Sequence, residues 1–151
     1  MGLDEIRRRI AAAESAAGRN PGDVTLIAVS KVQPAARVEA VLQAGQRVFG
    51  ENYVQEAAGK WPAWRAAFPG VGLHMIGPLQ TNKLNAALDL FDAIHTLDRP
   101  SLAQKLARQV QARVHCPQLF VQVNTGAEPQ KAGILPDDAD AFIADCRALE
   151  L

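Results

Sequence analysis

A lysine amine at the end of an apolar run is a candidate nucleophile. Lys31 holds that place, closing the run Val24-Thr-Leu-Ile-Ala-Val-Ser-Lys31. The run is rich in β-branched residues and predicts a strand covered on both faces. Pro34 then turns the chain towards a helix. Ligands of α/β folds bind at the carboxyl ends of such strands. A lysine must be neutral to attack a carbonyl, and partial burial disfavours its charged form, so this position suits aldehyde chemistry.

Four further strand ends carry polar groups. Gly50-Glu51-Asn52-Tyr53 follows one, His74 to Gly77 with Gln80, Asn82 and Lys83 another, His95-Thr96 a third, and Asn124-Thr125 with Lys131 the last. Each has an ordinary structural explanation as well. His74 and His95 suit satisfied core positions, Asn82 a helix cap, and Lys83 and Lys131 solvated surface charges. The same residues argue against two chemistries. No two histidines stand at i, i+4 and the cysteines lack ligand spacing, so no metal site is expected. Ser30 lacks the G-x-S-x-G elbow of a hydrolase. The common biological aldehyde that a lysine holds in such a setting is pyridoxal 5′-phosphate.

The elements that must position these groups alternate regularly. Leu3 to Ala17 reads as an amphipathic helix with Leu3, Ile6, Ile10, Ala13 and Ala17 inward and Arg7, Arg8 and Glu14 elsewhere. Helices are also predicted over Pro34–Ala44, Val54–Ala67 with Pro62 kinking or splitting it, Asn82–Leu90, a segment capped by Asp98, and Asp137–Leu149. Strands are predicted at 24–31, 47–50, 73–76, 92–95 and 119–124, with 125–136 a polar loop. Such β-α alternation implies parallel strands with right-handed crossovers. Either an open doubly wound sheet or part of a (β/α)8 barrel satisfies the pattern, and the absence of G-x-G-x-x-G after the first strand weakens a dinucleotide site.

Composition narrows the partners. Lys plus Arg and Asp plus Glu number 16 each, so no bulk field attracts nucleic acid or an anionic membrane. With 151 residues, 48% hydrophobic, the chain is long enough for one real core. The two cysteines lie far apart, and the first residues are charged without an apolar run. A reduced cytoplasmic setting without signal peptide or membrane span is therefore expected.

Three blocks carry a resemblance. Ala-Val-Ser-Lys31, Phe-Gly-Glu-Asn-Tyr53 and His-Met-Ile-Gly-Pro-Leu-Gln-Thr-Asn-Lys83 closely resemble the pyridoxal phosphate homeostasis protein family, as do Asn124 and Lys131-Ala-Gly-Ile134. The ten-residue third block is the most specific, and the likeness runs from about residue 3 to the end. It implies the first five βα units of a TIM-type barrel like the alanine racemase N-terminal domain. It also implies pyridoxal phosphate held as a Schiff base on Lys31, with Asn52 along its face and His74, Ile76 and Gly77 shaping the pocket. Lys131 would match a second family lysine with a part in transfer. No catalytic residue and no established turnover are implied. The role the resemblance implies is intracellular vitamin B6 homeostasis by a cofactor carrier, monomeric when complete, with pyridoxal-phosphate-dependent apoenzymes as recipients.

The chain departs from the family in three places. Gln33 replaces a frequent lysine, and Leu73 replaces a usual aromatic. The last three βα units, with the phosphate cup after the seventh and eighth strands, are expected to be absent, so residues 1–151 would form an incomplete barrel domain with apolar surface around Val24, Leu26, Ala28, Phe120 and Val121. The enzyme alternative is a racemase-like protein, for which the single tyrosine, Tyr53, would have to serve as acid-base partner.

Overall fold

In the computed structural model, which describes residues 2–113 and 115–151, five parallel strands form one sheet. They are β1 (Ala28–Val29), β2 (Val48–Glu51), β3 (Gly72–Met75), β4 (Ala93–Leu97) and β5 (Gln118–Val121). Their order in the sheet is their order in the chain. With no reversal of order there is no topological switch point, so the doubly wound alternative falls and the barrel-type βα succession stands.

Six α-helices accompany the strands: α1 (Leu3–Ala16), α2 (Ala35–Gln43), α3 (Val54–Ala67), α4 (Leu84–Leu90), α5 (Pro100–Gln111) and α6 (Ala139–Ala148). The sheet uses its two faces differently. Phe49 pairs in register with Leu73, and Met75 with Ile94. All four are buried in the core with Trp61 of α3, Leu84 of α4, Leu102 of α5 and Phe142 of α6. Phe49 and Trp61 rings meet at 4.8 Å. The opposite face carries Val29, Gly50, His74 and, on β5, Phe120, and it is open: Val29 is 50% and Phe120 45% exposed. One apolar face under helices and one face lined by strand side chains is the layering of barrel units.

Several local expectations change. The predicted strand over 24–31 is reduced to two paired residues, because β1 is a sheet edge with a partner on one side only. Val24 is exposed while Leu26 and Ala28 are half-buried. Glu14, placed outward by periodicity, is buried, and its carboxylate accepts the backbone N–H groups of Gly22 (3.2 Å) and Val24 (2.8 Å). It thereby ties α1 to the segment entering β1. Ala13 and Ala17, expected inward, are exposed. Pro62 does not split α3, which runs through it between the buried Trp61 and Trp64. Asp98 does not cap α5, whose N-cap is Arg99. Instead Asp98 accepts an N–H from Gly133 at 3.2 Å and holds the chain segment after β5 against the end of β4.

Candidate functional site at the carboxyl ends of the strands

Lys31 stands two residues beyond β1, in a turn, and its side chain is exposed. This corrects the expectation of partial burial. An edge strand of two residues ends before Lys31, so no neighbouring strand covers the amine. Among the described residues no hydrogen bond or ion pair engages that amine. The residues on either side are tied down. Ser30 is buried, its N–H donates to the Gly50 carbonyl (3.0 Å) and its hydroxyl to Glu51 Oε1 (2.6 Å). Val32 donates its N–H to Glu56 Oε1 at 2.7 Å.

Glu51, expected among the polar groups at the strand ends, points instead into the helix layer and is 0% exposed. Its Oε1 accepts from Ser30, from Trp61 Nε1 (2.9 Å) and from Lys60 Nζ (2.8 Å), while its Oε2 is buried without a partner. Lys60 also donates to Glu56 Oε1 (2.8 Å) and to the Ser30 carbonyl (3.0 Å). Desolvation pulls the Lys60 pKa down, but the two carboxylates outweigh it and hold the ammonium above its ordinary range. The Lys60 hydrogen bond, helped by that from Val32 and opposed by desolvation, holds Glu56 below its ordinary range. The sequence signal for this pair was the Glu-x-x-x-Lys spacing on α3. That spacing usually marks a surface pair, so it does not by itself single out Glu56 and Lys60.

Asn52 and Gly77 are brought together by the loops after β2 and β3. A Cβ on Gly77 would lie 2.4 Å from the Asn52 carbonyl oxygen and 2.6 Å from its Cα, so only glycine allows this approach. Ile76 packs in the space that Gly50 leaves open: a Cβ on Gly50 would meet Ile76 Cδ1 at 2.8 Å. A cavity of about 340 Å³ between these loops is lined by Asn52, Tyr53, Gln80 and Lys83 among others. Lys31 does not line it. Asn82 is exposed and α4 begins without a side-chain cap, so the capping expectation for Asn82 is not met.

His74 and His95 lie side by side on the open face, Nδ1 of the first 2.9 Å from Nε2 of the second. The His95 ring stacks on Phe120 with centroids 4.5 Å apart. Desolvation lowers both histidine pKa values, against a raising field from Asp92 at His74 and with an added lowering from His74 at His95. Thr96, by contrast, is buried with its hydroxyl unpartnered.

Lys131 is exposed in the loop after β5. Asn124 builds that loop: its amide donates to the Glu128 carbonyl (2.8 Å) and its oxygen accepts the Glu128 N–H (3.3 Å). Ile134 then returns to pair with Val123. Gly133, at φ +117°, makes the return possible, for a Cβ there would meet the Asn124 nitrogen at 2.6 Å. Thr125 is exposed.

Residues 1–151 match the alanine racemase N-terminal domain family along their whole length. A pyridoxal phosphate homeostasis protein of Escherichia coli K12 is 39% identical over 143 residues, covering 94% of this chain and 61% of the relative. The chain thus spans about three fifths of the length of the curated relatives it matches. The structure of PipY from Synechococcus elongatus PCC7942 with PLP bound superposes with a TM-score of 0.76 at 38% identity, covering 95% of this chain and 65% of that one. Alanine racemase of Corynebacterium glutamicum shares the fold alone, with a TM-score of 0.55 at 17% identity over 94% of this chain and 39% of that one. The likeness read from the three sequence blocks is borne out.

Proposed function

Because the chain belongs to the alanine racemase N-terminal domain family, we propose that it binds pyridoxal 5′-phosphate through Lys31 and acts as a carrier in intracellular vitamin B6 homeostasis. The observation that carries this reading is the Lys31 amine itself, exposed and, among the described residues, unpaired, between two tethered neighbours. The names of the relatives and the bound ligand of PipY support it.

The residues present fit the aldehyde part of that cofactor. When bound, the cofactor supplies an aldehyde that condenses with a primary amine and releases water. Among the described residues no carboxylate pairs with the Lys31 amine, which leaves it open to the aldehyde. Asn52, held by the close approach of Gly77, follows β2, and His74 to Ile76 lie at the carboxyl end of β3, at the same end of the sheet. There they would line the cofactor. Lys131 offers a second exposed amine for hand-over to apoenzymes. No residue of this chain is assigned a proton transfer on a substrate, and the role is carriage without turnover. The cytoplasm is the expected setting. Among the described residues no helix is long and apolar enough to cross a membrane.

The test is absorbance of the purified protein with added cofactor, then borohydride reduction and peptide mapping. Visible absorbance with the added mass on Lys31, both lost in Lys31→Ala, is the expected result. Mass found mainly on Lys83 or Lys131 overturns the assignment. Steady racemisation of alanine at about 1 per second or more, in the range of ordinary enzymes, would replace carriage with catalysis.

A further inference from the structure

Val32 has φ +56°, a backbone conformation that β-branched residues avoid. It is 74% exposed, so packing does not hold it there. The hydrogen bond from its N–H to Glu56 Oε1 does. Glu56 is in turn paired with Lys60 one helical turn on. An ammonium has three donors, and Lys60 directs its own at Glu56, Glu51 and the Ser30 carbonyl. One cation thus fixes both neighbours of Lys31, Ser30 directly and Val32 by way of Glu56. Strain held by surrounding contacts clusters where geometry matters for function, and here it adjoins the Lys31 amine, which has no partner among the described residues.

We propose that Lys60 and Glu56 are positioning residues for Lys31, fixing the backbone at 30 and 32 so that the amine projects from the carboxyl end of β1 in one direction. This rests on the reading of Lys31 as the cofactor lysine. The clamp is built from the helix layer, and neither side chain needs to touch the ligand. Both charges persist through the neutral range, since Glu56 is held low and Lys60 high. The clamp is therefore a permanent fixture and not a switch.

The experiment treats the full chain with less than one equivalent of pyridoxal phosphate and reduces it. Amine nitrogen and aldehyde carbon join with loss of water, and borohydride then delivers hydride to that carbon while solvent supplies a proton to nitrogen. Mass spectrometry gives the share of label on Lys31 relative to Lys83 and Lys131 in the same sample. Lys60→Met and Glu56→Ala should lower the Lys31 share by about tenfold, well inside the hundredfold that a 1 Å misplacement can cost. Glu56→Gln keeps an acceptor for the Val32 N–H and should stay within about twofold of the parent. Circular dichroism checks folding; should Lys60→Met unfold, Glu56→Ala decides, its carboxylate lying outside the buried core. Folded variants that keep the parent share overturn the positioning role while leaving the cofactor reading intact. A parent chain showing no preference for Lys31 overturns the cofactor reading, and the positioning role with it.

Discussion

His74 Nδ1 and His95 Nε2 share one hydrogen bond of 2.9 Å on the open face of the sheet. One ring must donate and the other accept, so the pair cannot hold two imidazolium ions without breaking. Desolvation, and for His95 also the neighbouring ring, lowers both pKa values below 6.5. The unfolded chain therefore takes up protons first as the pH falls, and stability must decline as pH drops below about 6.5. Urea denaturation at pH 7.5 and pH 5 measures the decline. His74→Gln should flatten it, and a slope unchanged in that variant would assign the pH dependence elsewhere.

Removing Lys60 leaves the Glu51 carboxylate buried without its cation. Lys60→Met should cost about 3–5 kcal/mol, the usual result of breaking a buried pair from one side. The double variant Glu51→Gln with Lys60→Met should recover most of the loss, because no charge then remains buried. A double-variant loss equal to the sum of the losses of Glu51→Gln alone and Lys60→Met alone would show that the pair is not coupled.

Two glycines offer a matched comparison. Gly77→Ala would drive a methyl into the Asn52 backbone and should destabilise by about 1–3 kcal/mol, as overpacking does. Gly59 lies inside α3 with nothing within 4 Å of a built Cβ, so Gly59→Ala should stabilise by roughly 0.5–1 kcal/mol. Chemical denaturation of both reads the two signs in one series.

Glu14 should behave as a core residue in spite of its type. Glu14→Ala removes the acceptor of two N–H groups, those of Gly22 and Val24, on an exposed segment, at a net cost of about 0.5–1.5 kcal/mol per bond. The effect should be read as earlier amide exchange at Gly22 and Val24. Exchange there equal to the parent's would mean that water replaces the carboxylate without loss.

Much of this was legible in the sequence, for physical reasons that also explain the misses. Strand and helix alternation is written in apolar runs and Gly or Pro stops, so the five units were found with shifts of a few residues. The burial of Lys31 was misjudged because an apolar run such as 24–31 looks alike whether neighbours lie on both sides or on one. Sheet order decides that, and composition does not carry it. Glu14, Glu51 and Lys60 were misread or missed because a buried charge is recognised by what it pairs with across 10 or more residues, as Glu14 does with Val24 and Glu51 with Ser30. Gly77 was visible as part of a motif, but its reason, the 2.4 Å approach to Asn52, exists only in three dimensions.

The strand order has a consequence for synthesis. Each strand pairs with the one made just before it, so β2 can add to β1, and β3 to β2, as soon as each leaves the ribosome. Among the five described strands, each of these pairings joins chain neighbours, which keeps them local and quick. The growing edge, however, is bare at every stage, and the latest strand is always the one exposed to strangers. Just past β5 the chain pairs with itself: Ile134 reaches back to Val123 after a loop tied by Asn124. A nascent chain long enough for Ile134 to have left the ribosome should therefore resist protease better than one in which it has not.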